Sequence, residues 1–417
     1  MSPRSRFRLT VTALAASSAL ALTGCTTAVA PTTPPSSDPA SAGSGLTEME
    51  PITLIYATAL PETNIAGAAE RDFMDYVEAA TDGKVTFERY FAGSLVTSAE
   101  GLDAVQSGLA DIAYGIPTII ADEIPMNAWS LGLGGLSGDD SSSFGQIQKT
   151  LAYHQFLAEH PEFDAEYADI GVKPLTPFTQ DNAGAACTDP VTTPEQSIGK
   201  SVSATPTWTP EIAEVGFTTT YLPLAEVYEG LQRGVIQCYF APLGGIFSIK
   251  LYEVAPYFSA VGSTTALSLS RPYMNLEKWE SLPIEVQEIF DEASLVGVRS
   301  FLTGDLAANA EIAAASEADD GSGFSILSAP EVAAVIDDVQ ERAVAALPGS
   351  APDGIDDPEA LIARYKELLE EWGTTLDALG ATVVSDDEFL EGLLAGPDQP
   401  VAAAIDRLAG NIGLSIG

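Results

Sequence analysis

The sequence predicts an α/β protein of two sheets with a long helical C-terminal part. Three observations carry that reading. Apolar strand-like runs alternate with segments of helical period from Ile52 onward. The alternation resumes after Val172, as if a second sheet were inserted into the first. From Ser281 the chain is overwhelmingly Ala- and Glu-rich and helical. A chain of 417 residues is long enough for two domains with sizeable cores.

The chain opens with Arg4, Arg6 and Arg8, then the apolar run Leu9–Leu22, then small residues, so residues 1–24 read as a secretory signal. Leu22-Thr23-Gly24-Cys25 resembles the lipobox of bacterial lipoproteins, with cleavage leaving Cys25 N-terminal for lipidation; an incidental cysteine in an ordinary signal is the plainer alternative. Several acyl chains on that residue would hold a soluble domain at the outer face of the cell membrane. Residues 25–50, rich in Thr, Pro, Ser, Ala and Gly, read as a flexible tether, with the globular part starting near Pro51.

Eighteen Lys and Arg stand against 59 Asp and Glu, a net charge of −41, and cleavage of the signal would remove only bases. That balance argues against nucleic acid and anionic headgroups as partners. Cys187 and Cys238 are the remaining cysteines. Outside the cytoplasm an even pair is most simply a disulfide, with two buried free thiols as the alternative. His154 and His160 are the only histidines and share one helical stretch. With no Gly-x-Ser-x-Gly elbow and no His-Glu-x-x-His motif, a hydrolase has little to stand on.

In chain order, Ile52–Ala59 reads as a strand, Asn64–Thr81 as a helix, Lys84–Tyr90 as a strand, Ser98–Ser107 as a helix and Asp111–Tyr114 as a third strand. This is β-α-β-α-β with short connections, hence a parallel sheet. Thr118–Gly135 is apolar and broken by glycines; Phe144–His160 is a helix and Val172–Phe178 a strand. Gln180–Ala186 is strand-like but interrupted by Gly184, and Pro194–Gly199 is a turn. Lys200–Ala204 and Thr218–Leu222 are strands around a short helix, Pro210–Val215. Leu224–Arg233 is a helix, Val235–Phe240 a buried strand, and Pro242–Gly245 a turn into an amphipathic segment. Thr264–Met274 is strand-like. Pro283–Glu317, Ala329–Leu347 and Asp357–Trp372 are helices, the last starting at an Asp-Pro cap.

Four stretches then carry a resemblance: Ala104-Val-Gln-Ser-Gly-Leu-Ala-Asp-Ile-Ala113, Leu222–Ile236, Phe247-Ser-Ile-Lys-Leu-Tyr-Glu-Val254 and Met274–Pro283. Together they resemble the extracytoplasmic solute receptors of TRAP transporters (DctP-like), over roughly Ile52–Ala345. The resemblance implies a two-lobed, type II-like periplasmic-binding-protein fold. Residues 51–178 and 263–373 would form lobe I, residues 179–262 lobe II, and residues 374–417 an acidic appendage. It further implies a small-molecule ligand, delivery to small and large membrane subunits, hinge closure over the ligand, and no catalytic group, metal or cofactor. The same clamp could instead present ligand to a membrane sensor kinase.

The family grips organic acids with an Arg after a Pro-Glu-Asp-Leu turn. Here Pro194-Glu195-Gln196 and Gly199 match the turn, and the Arg position falls on Ser203. An earlier family Arg falls near Asn182, and a family Asn falls on Ala241. One reading keeps a carboxylate ligand and gives it Arg271. The other, which the lost bidentate Arg favours, takes a neutral, cationic or aromatic ligand stacked on Trp208, Tyr239 and Phe240. First-lobe candidates are Tyr56, Thr58, Ser94, Glu100 and Trp129, at or after strand ends where such crevices open. Glu100 and Asp181 would face a cationic ligand. A Cys187–Cys238 bridge would brace the cleft wall.

Overall fold

The computed structural model describes residues 46, 48–136, 143–180, 183–261, 267–317, 324–381 and 399–414. The signal, Cys25, most of the tether, Asp181 and Asn182 lie outside the described residues. In chain order the strands are β1 (Ile52–Ala57), β2 (Val85–Tyr90), β3 (Ile112–Ala113), β4 (Val172–Pro174), β5 (Phe178–Gln180) and β6 (Ala183–Cys187). They continue with β7 (Ser201–Ser203), β8 (Thr218–Thr220), β9 (Cys238–Pro242), β10 (Tyr257–Ala260), β11 (Ser268–Ser270), β12 (Tyr273–Asn275) and β13 (Ser325–Ser328).

One sheet is ordered β2-β1-β3-β12-β4, with β1 parallel to both β2 and β3 and with β12 antiparallel to its neighbours. The other is ordered β13-β10-β6-β9-β7-β8. In it β7 runs parallel to β8 and β9, while β6 runs antiparallel to both β9 and β10. Between the sheets, β5 and β11 form an antiparallel ribbon where the chain leaves the first lobe and returns to it. The two-lobed α/β reading therefore holds.

The first helix, Ile65–Ala80, shows how local sequence places the pieces. Asn64 Oδ1 accepts from the Ala66 amide at 2.9 Å, and Ala66, Ala69, Phe73, Met74 and Val77 form its buried stripe. That stripe packs on the 34-residue helix Ile284–Glu317, about 50 Å long. Ile312 and Ala313 near that helix's far end join the second lobe's core, so one rigid element runs along both lobes.

Several boundaries differ from the sequence expectation. The globular part begins before Pro51: the Leu46 amide donates to Glu285 Oε2 at 2.9 Å, and Lys84 Nζ donates to Met49 O at 2.8 Å. Val172–Phe178 is not one strand, because β4 and β5 belong to different sheets. Gly184 does not interrupt β6. A Cβ there would stand 2.4 Å from Ser259 O and 2.5 Å from Phe258 Cζ, so glycine is what lets β10 approach. Pro242–Gly245 is no turn: Pro242 still pairs with Ala183, and the helix Leu243–Ser248 starts directly after it.

Residues 324–346, expected in the first lobe, join the second. There β13 pairs parallel to β10, while Ala329, Val332 and Ile336 pack with Ile212 and Val215. The helix Pro358–Leu379 runs two turns past Trp372. Nor are residues 374–417 simply an appendage. The helix Val401–Asn411 buries Val401, Ala404, Ile405 and Leu408, spaced i, i+3, i+4 and i+7, against the helices Ser143–Glu159 and Ile284–Glu317. Among the described residues no helix is long and apolar enough to cross a membrane.

Candidate functional site

The C-terminal ends of β1, β3, β7, β8 and β9 converge on a cavity of about 120 Å³ between the lobes. The first lobe supplies Leu60 and Asn64 after β1, and Ser98, Tyr114 and Ile116 around β3. Across from them stand Ser203, Thr205 and Trp208 from β7 onward, Tyr221 after β8, and Tyr239 and Ala241 of β9. Leu269 and Ser270 of the ribbon close the back. Parallel strands ending together leave such a crevice because their connecting loops splay to opposite sides. Among the described residues lining it, none carries a charge.

The polar atoms of the cavity are hydroxyls, one amide and one indole. Ser203 Oγ accepts from the Leu222 amide at 3.0 Å, which holds the loop after β8. Asn64 Nδ2 donates to Ser248 Oγ at 3.0 Å, tying the first helix to the helix after β9. Trp208 Nε1 is buried without a hydrogen-bond partner among the described residues, and Ser270 Oγ is buried with only the Tyr114 hydroxyl beside it. A buried donor or acceptor in that state is what a ligand can satisfy. Burial pushes the phenols of Tyr114 and Tyr239 well up, so both stay neutral and able to donate.

Of the expected ligand contacts, Ser203, Trp208 and Tyr239 come together here. Phe240 does not. Side chains alternate along β9, so Tyr239 and Ala241 face the cavity while Phe240 packs edge-on under Trp208, ring centroids 5.3 Å apart. Tyr56 and Thr58 are fully buried one layer behind the wall, and Trp129 is core, its Nε1 donating to Leu347 O at 2.9 Å. Ser94 and Glu100 are exposed and outside the cavity lining. Glu100 accepts from the Thr97 amide at 3.0 Å and the Thr97 hydroxyl at 2.7 Å, bonds that hold its carboxyl below the usual range.

Arg271 also turns away. Its Nη2 meets Asp164 Oδ1 at 2.8 Å, its Nε donates to Leu175 O at 2.7 Å, and its guanidinium lies over the Tyr167 ring. Only 5 % exposed, this cation needs a fixed partner, and Asp164 supplies it inside the first lobe. Burial would raise Asp164, but Arg271 and Lys173 outweigh that and hold its carboxyl low. Arg271→Ala is therefore expected to cost about 3 kcal/mol in stability by chemical unfolding, with ligand preference unchanged.

Sequence reasoning missed Leu60, Asn64, Tyr114, Tyr221 and Ser270. Strand-end position was a usable signal for Tyr114 and Tyr221. Ser270 depended on how the ribbon folds back. Glu70 was missed too: it lies in the apolar stripe of the helix Ile65–Ala80, fully buried, and burial pushes its carboxyl up to about 8.

Residues 56–345 match the family of bacterial extracellular solute-binding proteins, family 7 (DctP). The chain is similar to the ectoine/5-hydroxyectoine-binding periplasmic protein UehA of Ruegeria pomeroyi, 27 % identical over 245 residues, or 58 % of this chain and 68 % of that protein. It is 26 % identical to the ectoine-binding periplasmic protein TeaA of Halomonas elongata, over 57 % of this chain and 68 % of that one. Among solved structures it resembles DctP6 of Bordetella pertussis, a receptor binding pyroglutamic acid, with a TM-score of 0.62 and 20 % identity over 76 % of this chain and all of that one. The periplasmic ectoine-binding protein of the Halomonas elongata TeaABC transporter gives 0.59 and 20 %, over 77 % of this chain and 100 % of that one. At those identities the structures speak to the fold.

Proposed function

The chain belongs to the DctP family of extracellular solute-binding proteins, the small-molecule receptors of TRAP transporters, and from that premise we propose that its ligand is neutral, aromatic or cationic rather than an arginine-clamped carboxylate. One observation supports this above the rest: three tyrosines and a tryptophan line the cavity, and among the described residues no cation does. A carboxylate carried there without a cation would lose its hydration for no ionic partner, a cost of several kcal/mol. Aromatic rings offer stacking or cation–π contact instead. Trp208 Nε1 and Ser270 Oγ supply directional hydrogen bonds without charge.

The test is a thermal-shift screen of the mature chain against acids, neutral aromatics and small amines, since a ligand bound only by the folded state raises Tm. Amines or neutral aromatics should shift it. Trp208→Phe, which keeps a ring and removes the N–H, should weaken the hit about tenfold, the worth of one buried hydrogen bond. Stabilisation by anionic carboxylates alone, with no positively charged group, would overturn the reading.

Family membership places the protein outside the cytoplasm; for its retention there we infer a lipid on Cys25, on the strength of the sequence Leu22-Thr-Gly-Cys25. Cys25→Ser is expected to move the protein from the membrane fraction to the soluble extracytoplasmic fraction. Unchanged membrane association would refute the anchor.

A further inference from the structure

The apolar stripe of the helix Ile65–Ala80 contains one carboxylate, Glu70, with Ala66, Phe73 and Met74 as its neighbours along the helix. It is 0 % exposed, and its carboxyl meets only the hydroxyls of Thr58 and Tyr56, with no cationic partner among the described residues. The gap beside it, about 10 Å³, is no larger than one water and is lined by Tyr56, Phe73, Leu175, Phe178, Pro272 and a few neighbours, with no Lys, Arg or His among them. The polar groups facing it are Tyr56 and Thr58 of the first strand and its extension, with Tyr114 beyond them. Among the described residues no cation offsets it.

Two of those groups lead to the ligand cavity. Tyr114 feels the Glu70 charge and lines the cavity. Thr58 Oγ1 accepts from the amide of Leu60, another lining residue. A carboxylate without a cationic partner in an apolar layer is costly, and in a low-dielectric surround its field reaches the neighbouring cavity with little screening. We propose that Glu70 makes this cleft select a ligand bearing a positive charge, whose cationic group sits on the Tyr114 and Ser270 side of the first lobe. The assignment rests on the arginine-free reading above and narrows it to cations and zwitterions. Rings of Trp208, Tyr221 and Tyr239 face that position from the second lobe.

A consequence is proton release. Burial keeps Glu70 mostly protonated at neutral pH, with its carboxyl pushed up to about 8, and a cation nearby favours the ionised form. Affinity then follows the fraction of Glu70 ionised in the free protein, rising about tenfold per pH unit well below 8. The groups that face Glu70 and could titrate with it are Tyr56 and Tyr114, both held neutral through this range.

Calorimetric titrations of the mature chain with tetramethylammonium, choline and ectoine, with pyroglutamate as the anionic control and phenol as the neutral one, test it at pH 6, 7 and 8. The expected result is binding of a cationic or zwitterionic probe, about tenfold tighter from pH 6 to 7 and about fivefold from pH 7 to 8, with about one proton passed to the buffer at pH 6 and 7 and about half a proton at pH 8. In Glu70→Gln, whose amide mimics the protonated acid and should leave Tm intact at pH 5, the probe should bind without pH dependence or proton release. Unchanged pH dependence in Glu70→Gln, or no binding of any charged probe at millimolar concentration, overturns the proposal. Binding of phenol alone sinks the proposal and leaves the arginine-free reading standing; binding of pyroglutamate alone sinks both.

Discussion

Replacing Cys187 and Cys238 together by alanine is expected to destabilise the second lobe by about 4 kcal/mol. Cys187 of β6 stands directly opposite Cys238 of β9, the two form a disulfide, and both are fully buried. The bridge closes a loop of sequence separation 51. Holding such a loop closed in the unfolded chain removes entropy worth about 4 kcal/mol in the chain-entropy account. Inside the loop lie β7 and β8, which with β9 carry Ser203, Trp208, Tyr221 and Tyr239. Loss of the bridge should therefore loosen the ligand-binding wall before it reaches the first lobe. Chemical unfolding of wild type and double variant measures the effect, and a difference under 1 kcal/mol would mean the bridge contributes little. Because neither sulfur is exposed, reductant should act on the native protein only through opening of the lobe.

The second large effect is the pH dependence of stability, and Glu70 supplies its most separable part. Its carboxyl ionises near 4.5 in an unfolded chain and near 8 when folded, so the native state holds a proton that the unfolded state has released. Stability is then full below about 4.5 and is lost as pH rises through 8. Asp305, pushed by burial to about 6 despite hydrogen bonds from Gln146 and Asn309, acts in the same direction over a lower range. His154 acts oppositely. Burial lowers it to about 4, so the folded state keeps it neutral and stability is lost as pH falls from about 6.5 through 4. Glu70→Gln removes one of these contributions alone. Its stability relative to wild type should rise by about 3 kcal/mol between pH 5 and pH 8. A constant offset between the two proteins across that range would show that Glu70 is ionised throughout.

Both effects depend on residues whose significance differed in the two views. Cys187 and Cys238 stood out in the sequence because a secreted chain with one leftover even pair points to a bridge, and only their register across β6 and β9 was missing. Glu70 was invisible. A glutamate near the start of an amphipathic helix usually faces solvent, and the stripe Ala66, Phe73, Met74, Val77 does not announce that position 70 belongs to it. Arg271 shows the reverse. As a cation beside a crossing strand it fits a carboxylate ligand, yet an internal partner, Asp164, lies 107 positions away in sequence and decides its direction. Phe240 and Tyr239 are adjacent and both aromatic, and strand alternation sends them to opposite faces.

The sequence by itself determined the two-lobed α/β architecture and the family, because hydrophobic period, glycine ends and helix caps act over a few residues and survive in one dimension. It also carried the expectation that the family's Arg position falls on Ser203, since a missing charge can be read without coordinates. Tertiary structure alone decided which polar groups share the cavity, that residues 324–346 close the second lobe, and that Val401–Asn411 docks on the first. Those outcomes depend on contacts between residues tens to hundreds of positions apart, and on burial, which sets the cost of charge at Glu70 and Arg271 and has no local signature in the chain.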